Sequence, residues 1–252
     1  MLTIWHYLLI SLGIQVVMFL PAFKFKTDKL TDLSYALTFI ILALLAFFLS
    51  SYSALKLVAM LMVVAWGLRL GTFLFIRIRK MKTDKRFDGI RENFFRFLRF
   101  WILQGLTVWI ILIPVLLLMG SESAYTPLTF LGLAVWFTGL LTEATADFQK
   151  SKFVKLKTGK WIETGLWKYS RHPNYFGEIL CWVGVYLFAF SSLTPTFRLF
   201  GLASPLFIMI LLLFVTGLPP LEKGADQRWG SESGYQEYKR RTSVLIPWFR
   251  RK

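Results

Sequence analysis

The sequence predicts an all-α integral membrane protein, a bundle of seven transmembrane helices. Of its 252 residues, 56% are hydrophobic and only 17% are charged, and the mean hydropathy is +0.55. Soluble domains are more charged and less apolar than this. The apolar runs are too long for a soluble core and too frequent for a single anchor, so we interpret residues 1–252 as one membrane domain.

Seven apolar runs are the candidate spans. A spanning helix needs about 20 apolar residues, so we expect the two short runs, the second and the sixth, to tilt or to end early. The first three runs and a basic loop make up residues 1–100, and the other four runs and a polar tail make up residues 101–252. The runs are Leu2–Phe23, Leu33–Leu49, Leu57–Ile78, Trp101–Met119, Leu128–Ala146, Tyr175–Phe190 and Leu199–Leu218.

Basic residues concentrate in the loops of one side, and the opposite loops hold almost none. Three follow the first run, nine stand from the end of the third run to the start of the fourth, and the turns Ser121–Ala124 and Ser191–Pro195 have none. Lys and Arg mark cytoplasmic loops, which predicts an outside N-terminus and a cytoplasmic C-terminus in the inner membrane of a bacterium. The first run lacks a basic leader, so we interpret it as a retained helix. The twelve residues are Lys24, Lys26, Lys29, Arg77, Arg79, Lys80, Lys82, Lys85, Arg86, Arg91, Arg96 and Arg99.

The net charge of +16 restricts the partners. Positive loops beside an anionic lipid bilayer account for such an excess, and the same side chains could hold a phosphate-bearing cofactor. No nucleic-acid-binding module is recognisable, so no nucleic-acid partner is expected. Cys181, His6 and His172 are the only cysteine and histidines, and their spacing predicts no metal site. Glycine-rich nucleotide motifs are also absent from the sequence, so a nucleotide would have to bind to another scaffold.

The stretch Arg171–Glu178 places polar groups at the start of an apolar helix, where they are expensive and indicate a functional site. Pro173 suits a first helical turn, and Asn174 and Glu178 then lie one turn apart. Gly177 could also serve close helix packing. On the fifth run Asp147 lies at helical spacing from other charged residues, either as a solvated helix end or as a cofactor contact.

Two flanking segments each have two interpretations. The loop Lys157–Ser170 mixes cations with aromatic rings, which could anchor in lipid headgroups or could bind phosphates and flat rings. The tail from Glu222 to Phe249 could be an interfacial helix or could fold over the cytoplasmic mouth of the bundle.

The segment Ser170–Glu178 resembles the signature of the steroid 5-alpha-reductase family and its bacterial relatives. The resemblance extends to Ala146–Lys150, Gly159–Ile162, Gly165–Trp167 and Leu245–Pro247. It implies a cytoplasmic cofactor cavity for NADPH and reduction of a carbon–carbon double bond conjugated to a carbonyl. The substrate would be lipophilic, either steroid-like or another lipid.

The resemblance also implies site residues. Asp147, Asn174 and Glu178 match family positions that contact NADPH, and Arg171, His172 and Tyr175 belong to the same signature. Lys152 and Tyr169 are added by proximity. The family's carbonyl-polarising glutamate and tyrosine are missing, because no glutamate precedes Glu92. Trp66 and Arg69 occupy the corresponding region and are the catalytic candidates, with no proton donor assigned.

Two other functional classes remain open. The isoprenylcysteine carboxyl methyltransferases, which use S-adenosylmethionine, share an Arg-His-Pro-x-Tyr-x-Gly core and a tail like Trp229–Arg241 and Ile246-Pro247. They usually carry paired glutamates where this chain has Leu221-Glu222-Lys223, and Asn174 with Glu178 favours the reductases. A non-catalytic lipid-binding protein is the third class. The sequence names neither the substrate nor the oligomeric state.

Overall fold

The computed structural model describes residues 2–80 and 87–249. Lys82, Lys85 and Arg86 of the predicted basic loop lie outside them. The described residues form helices joined by short loops, and they contain no β-strand. The helices are α1 (Ile4–Lys24), α2 (Lys29–Phe48), α3 (Ala54–Lys80), α4 (Phe94–Met119), α5 (Pro127–Lys155), α6 (Pro173–Phe190), α7 (Pro195–Gly201), α8 (Ala203–Ile210), α9 (Leu218–Trp229) and α10 (Ser233–Arg241).

Six helical segments of the described chain are long and apolar enough to cross a membrane. They match six of the seven predicted runs and extend several of them, as in Pro127–Lys155. The sixth run does form a helix, α6, but Pro173–Phe190 is not among the six. The prediction of an all-α membrane protein is therefore confirmed, with six spans identified by length and composition.

The seventh run differs from a single straight helix. Helices α7 and α8 are followed by a π-helical turn at Leu211–Val215 and then by α9. Pro219 and Pro220 stand in the first turn of α9 and have no N–H to donate to preceding carbonyls, so the regular hydrogen-bond ladder cannot continue through them. The hydrogen-bond ladder is therefore interrupted before α9. This polar helix begins after the break and carries Glu222.

The Cα positions divide the chain into two compact units. The first comprises Met1–Thr129 and Val185–Ser204, and the second comprises Phe130–Gly184 and Pro205–Lys252. These boundaries differ from the predicted division at residue 100. One of them falls inside α6, between Gly184 and Val185, so the two ends of this helix belong to different units. The single membrane domain stays a prediction.

The first unit is held by α1, α2 and α4 around buried polar side chains. Gln104 Nε2 donates to Gln15 Oε1 at 2.8 Å, and Gln15 Nε2 donates to Thr38 Oγ1 at 2.8 Å. Ser34 joins the same group through Gln104 at 3.0 Å. Because these amides and hydroxyls satisfy one another in apolar surroundings, they bind the three helices together.

The second unit depends on a close crossing of α5 and α6 at two glycines. A Cβ atom added at Gly177 would lie 2.6 Å from the backbone nitrogen of Glu143. One added at Gly139 would lie 2.6 Å from the backbone nitrogen of Cys181. Since no side chain fits between the two backbones, the small residues set the distance between the helices.

This crossing yields a stability prediction. Gly177→Ala should lower the free energy of unfolding by about 1–3 kcal/mol, because the added methyl group meets backbone atoms that cannot move aside independently. Thermal unfolding in detergent measures the change. Gly13→Ala is the matched control, since nothing lies within 4 Å of a Cβ at Gly13 in helix α1. An equal loss of stability in both variants would contradict the prediction.

Candidate functional site

The crossing of α5 and α6 brings together two of the predicted cofactor residues. Asn174 Nδ2 donates to Asp147 Oδ1 at 3.3 Å. Asp147 is 5% exposed, so its carboxylate is removed from bulk water. Glu178 lies one turn beyond Asn174 on α6 and is half-buried. The structure thus joins the amide and a carboxylate that the sequence placed 27 residues apart.

The loop between α5 and α6 is fastened to both the helix before it and the tail. Trp167 lies in a 3₁₀ turn, Gly165–Lys168, and its Nε1 donates to the carbonyl of Ala146 at 3.1 Å. Tyr238 Oη donates to the carbonyl of Trp167 at 2.9 Å. The Gln149 side chain accepts from the Leu166 N–H at 2.9 Å. The loop therefore has a defined position.

Glu222 of α9 links two residues of the signature. Its Oε2 accepts from Arg171 Nη1 at 2.6 Å, and its Oε1 lies 2.8 Å from His172 Nε2. The His172 ring also stacks on Tyr175, with centroids 5.7 Å apart and planes at 10°. Arg171 and His172 are both largely buried. A charge-assisted cluster of this kind holds α9 against the start of α6.

Burial sets the charge state of His172. It lowers the pKa of His172 below the ordinary 6.5, although the hydrogen bond with Glu222 opposes the shift. The ring is therefore neutral at pH 7, and the Nε2 that faces a carboxylate carries the proton. Nδ1 is then an acceptor. It is buried and has no hydrogen-bond partner within residues 2–80 and 87–249.

Arg171, His172 and Glu222 border a cavity of about 740 Å³ in the second unit. Its size lies within the range of small-molecule and cofactor sites. Five cationic side chains but one carboxylate, Glu222, line it in the described chain. The cationic side chains are Lys150, Lys157, Lys160, Arg171 and Arg228.

Aromatic rings form another wall of this cavity. The Trp161 ring lies 5.3 Å from Tyr235 and 6.3 Å from Trp229, centroid to centroid, in inclined orientations. Burial, followed by the charges of Glu222 and Asp226, raises the pKa of Tyr235 to about 12, so its hydroxyl stays protonated. The wall offers both flat apolar surface and hydrogen-bond donors.

The loop Lys157–Ser170, which borders the cavity, has a fixed conformation at its start. Lys157 and Gly159 have positive φ angles of 50° and 73°. Trp229 Nε1 donates to the Gly159 carbonyl at 2.7 Å, which ties the loop to the end of α9. Lys157 and Lys160 are thus held on either side of a glycine at the cavity rim.

Three buried polar atoms around the cavity lack a partner in the part of the chain that the structure describes. They are Trp161 Nε1, Arg171 Nε and His172 Nδ1. Buried polar atoms normally have hydrogen-bond partners. Two donors and one acceptor in residues that line one cavity indicate a place for a polar ligand.

The other predicted site residues lie elsewhere. Of the predicted cofactor residues, only Arg171 and His172 line the cavity in the described chain. Lys152 is exposed and Tyr169 is 36% exposed. Within residues 2–80 and 87–249, neither of them lines the cavity, and neither do Asp147, Asn174, Tyr175 and Glu178. The Tyr169 carbonyl instead accepts from the Trp248 N–H at 3.1 Å. Trp66 and Arg69 belong to the first unit, where Trp66 is buried with its ring edge against Phe39. Their catalytic role stays a prediction.

Sequence reasoning placed Glu222 in the tail but missed its role. It also did not assign Arg228 or Trp229 to a site, although both line the cavity. Trp161 lines it too, and it belongs to the loop Lys157–Ser170, for which ring binding was one of two interpretations. The usable signal was helical spacing: Glu222, Ala225 and Trp229 recur at three- and four-residue intervals on α9 and share a face. Groups of three or more His, Cys, Asp or Glu that could hold a metal are absent from the described residues.

The helices and the cavity define an all-α membrane protein with a basic, aromatic-lined pocket. Residues 18–242 match the sequence profile of the family described as protein of unknown function (DUF1295). The chain belongs to that family. No curated protein and no solved structure is significantly similar to it. Every residue that lines the cavity falls within the matched range.

The burial of neutral His172 yields a pH prediction. In the unfolded chain the pKa of this ring is about 6.5, whereas the pKa of His172 in the folded protein is lower. The contribution of neutral His172 to the free energy of unfolding is therefore fully present above about pH 6.5. It is lost as the pH falls through the folded pKa. Wild type should therefore lose more thermal stability than His172→Gln between pH 7.5 and pH 5. Unfolding in detergent followed by tryptophan fluorescence measures both. Identical pH profiles would refute the assignment.

The Trp229 tether yields a second prediction. Trp229→Phe keeps a ring but removes the donor to Gly159, which should loosen the loop and speed tryptic cleavage at Lys157 and Lys160 about twofold to tenfold. Limited proteolysis followed by mass spectrometry measures the rate. Trp248→Phe is the control, because Trp248 is 68% exposed and its bond to the Tyr169 carbonyl uses the backbone N–H, which the substitution keeps. The prediction fails if both variants are cleaved at the wild-type rate.

Proposed function

We propose that the protein is a membrane-embedded, NADPH-dependent reductase of a carbon–carbon double bond conjugated to a carbonyl in a lipophilic substrate. The observation that carries the proposal is the excess of cations around the cavity, five against one carboxylate. NADPH brings a pyrophosphate and a 2′-phosphate, which Lys and Arg side chains bind through charge-assisted hydrogen bonds.

The positions of the cations support this ligand. Lys157 and Lys160 stand at the rim on a tethered loop, and Arg171 lies deeper beside Glu222. Arg171 Nη1 donates to Glu222, and the guanidinium adds its positive charge to the lining of the cavity. The Trp161, Trp229 and Tyr235 rings supply the flat surface on which a purine or nicotinamide ring can stack.

The remaining polar residues suit the uncharged groups of the same cofactor. The Asp147–Asn174 pair and Glu178 do not line the cavity in the described chain, and the family resemblance is what proposes them as acceptors for hydroxyl and amide hydrogens. His172 Nδ1 offers a further buried acceptor. When bound, NADPH supplies the hydride for the double bond. The protein must then orient the substrate and polarise its carbonyl, for which Trp66 and Arg69 are the candidates.

The membrane arrangement completes the proposal. Helix α6 would be the seventh span, since 18 residues extend about 27 Å, close to the thickness of the hydrocarbon core. With seven spans the N-terminus is outside and the C-terminus is cytoplasmic. The cavity then opens to the cytoplasm of a bacterium, where NADPH is made, and the substrate arrives from the inner-membrane bilayer.

A second candidate is an S-adenosylmethionine-dependent methyltransferase. The observation that favours it is the aromatic wall, because aromatic faces attract cations such as a sulfonium. The cationic lining disfavours it, since S-adenosylmethionine carries no phosphate and its sulfonium would be repelled. The charge balance therefore favours the reductase.

Cofactor binding tests the two candidates. The purified protein should bind NADPH, and Arg228→Gln should weaken binding about tenfold, because a cationic partner of a phosphate is lost. Lys223→Gln is the matched control on the same helix, since Lys223 does not line the cavity among the described residues. NADPH fluorescence titration gives both affinities. Glu178→Ala should abolish binding.

The outcomes separate the hypotheses. Tight S-adenosylmethionine binding without NADPH binding would reject the reductase in favour of the methyltransferase. Binding of neither cofactor, with signature variants that keep wild-type behaviour, would favour the non-catalytic class. Equal losses in Arg228→Gln and Lys223→Gln would show that overall charge, and not the cavity, governs NADPH affinity.

A further inference from the structure

A second cavity, of about 630 Å³, lies in the second unit at the end of α10. Its lining in the described chain contains four cationic side chains and no carboxylate. The cationic residues are Arg171, Lys239, Arg240 and Arg241. Arg171 is the one residue that also lines the first cavity among the described residues. This lining suits an anion.

Part of that charge is already paired. Arg171 donates to Glu222 at 2.6 Å, Arg241 lies 2.8 Å from Glu237, and Lys239 lies 2.6 Å from Asp226. These contacts use the terminal nitrogens. The Nε atoms of Arg171 and Arg241 remain buried and without a partner in the described residues. Paired cations thus still present unused donors.

Thr242 adds a third unsatisfied group. The residue is 4% exposed, it lines the cavity, and its Oγ1 has no hydrogen-bond partner among residues 2–80 and 87–249. A buried hydroxyl without a hydrogen-bond partner is unfavourable. Two guanidinium N–H groups and one hydroxyl that line the same cavity match the several oxygens of a phosphate.

The rim of the cavity shows which kind of phosphate fits. Val244, Ile246, Trp248 and Phe249 line it, and their exposed fractions are 41%, 59%, 68% and 79%. Tryptophan and large apolar side chains of this kind belong at a membrane–water interface, beside cations that meet anionic headgroups. A soluble anion would leave these apolar surfaces in water.

We infer that this cavity binds the headgroup phosphate of an anionic phospholipid. Arg171, Arg241 and Thr242 hold the phosphate, and the acyl chains lie against Trp248 and Phe249. The tail that carries the rim is fastened beside the signature, since Ser170 Oγ donates to the Leu245 carbonyl at 2.6 Å and the Arg171 N–H donates to the Ser243 carbonyl at 2.8 Å. The inference does not rest on the proposed reductase activity.

Native mass spectrometry of the full chain from detergent micelles tests the site. With equal amounts of phosphatidylglycerol and phosphatidylcholine of the same chain length, wild type should retain phosphatidylglycerol preferentially. The double variant Arg241→Gln/Thr242→Val should bind it about tenfold more weakly, because both donors are lost. Lys160→Gln is the matched control: it removes a charge that lines the first cavity but not the second within the described chain.

A second pair of measurements separates a lipid from a free anion. Trp248→Ser should weaken phosphatidylglycerol binding but leave binding of soluble glycerophosphoglycerol unchanged, since only the acyl contact is removed. This variant also keeps the test valid if the double variant does not fold. Equal retention of both lipids by wild type would overturn the inference. So would inorganic phosphate competing as well as the long-chain lipid does.

Discussion

The second unit depends on one carboxylate, Glu222, which is shared by Arg171 and His172. A partly buried carboxylate is unfavourable unless cations and donors surround it, and it then resists separation from them. Glu222 lies on α9, whereas its partners precede α6, so this cluster joins segments 50 residues apart. The cluster attaches α9, which forms part of the cavity wall, to the start of α6. The loop Lys157–Ser170 is in turn bonded to the end of α9 through Trp229.

The tail and the signature loop are joined by further contacts of the same kind. Tyr238 reaches the Trp167 carbonyl, and Ser170 and Ser243 form a single parallel bridge. This isolated bridge supplies hydrogen-bond partners for backbone groups that no α-helix satisfies. The tail and the loop before α6 are thus connected by hydrogen bonds.

The helices were predictable because hydropathy and length depend on local sequence. Pro173 at the start of α6 and the approach at Gly177 follow from residue type, and Asn174 was assigned by its resemblance to a family signature. Glu222 could not be assigned to Arg171 in this way, because a long-range ion pair leaves no mark in the spacing of nearby residues. The break of the last span was missed because hydropathy does not register the missing N–H groups of Pro219 and Pro220.

The strong positive charge of the chain divides into two kinds. Basic residues beside the first helices, such as Lys24 and Lys26, match the excess of Lys and Arg that is typical of cytoplasmic loops, and that orientation stays a prediction. Those around the two cavities of the second unit are arranged with carboxylates, aromatic rings and fixed loops. Composition alone cannot distinguish the two kinds, since every Lys or Arg adds one positive charge to the net charge of +16 wherever it lies.

The glycine crossing of α5 and α6 has a thermodynamic consequence. Backbone meets backbone at Gly139 and Gly177, so the spacing of Asp147 and Asn174 is set by the main chains and not by flexible side chains. A ligand that uses this pair need not immobilise the helices that carry it. Less conformational entropy is then lost on binding, and more of the interaction energy remains as affinity.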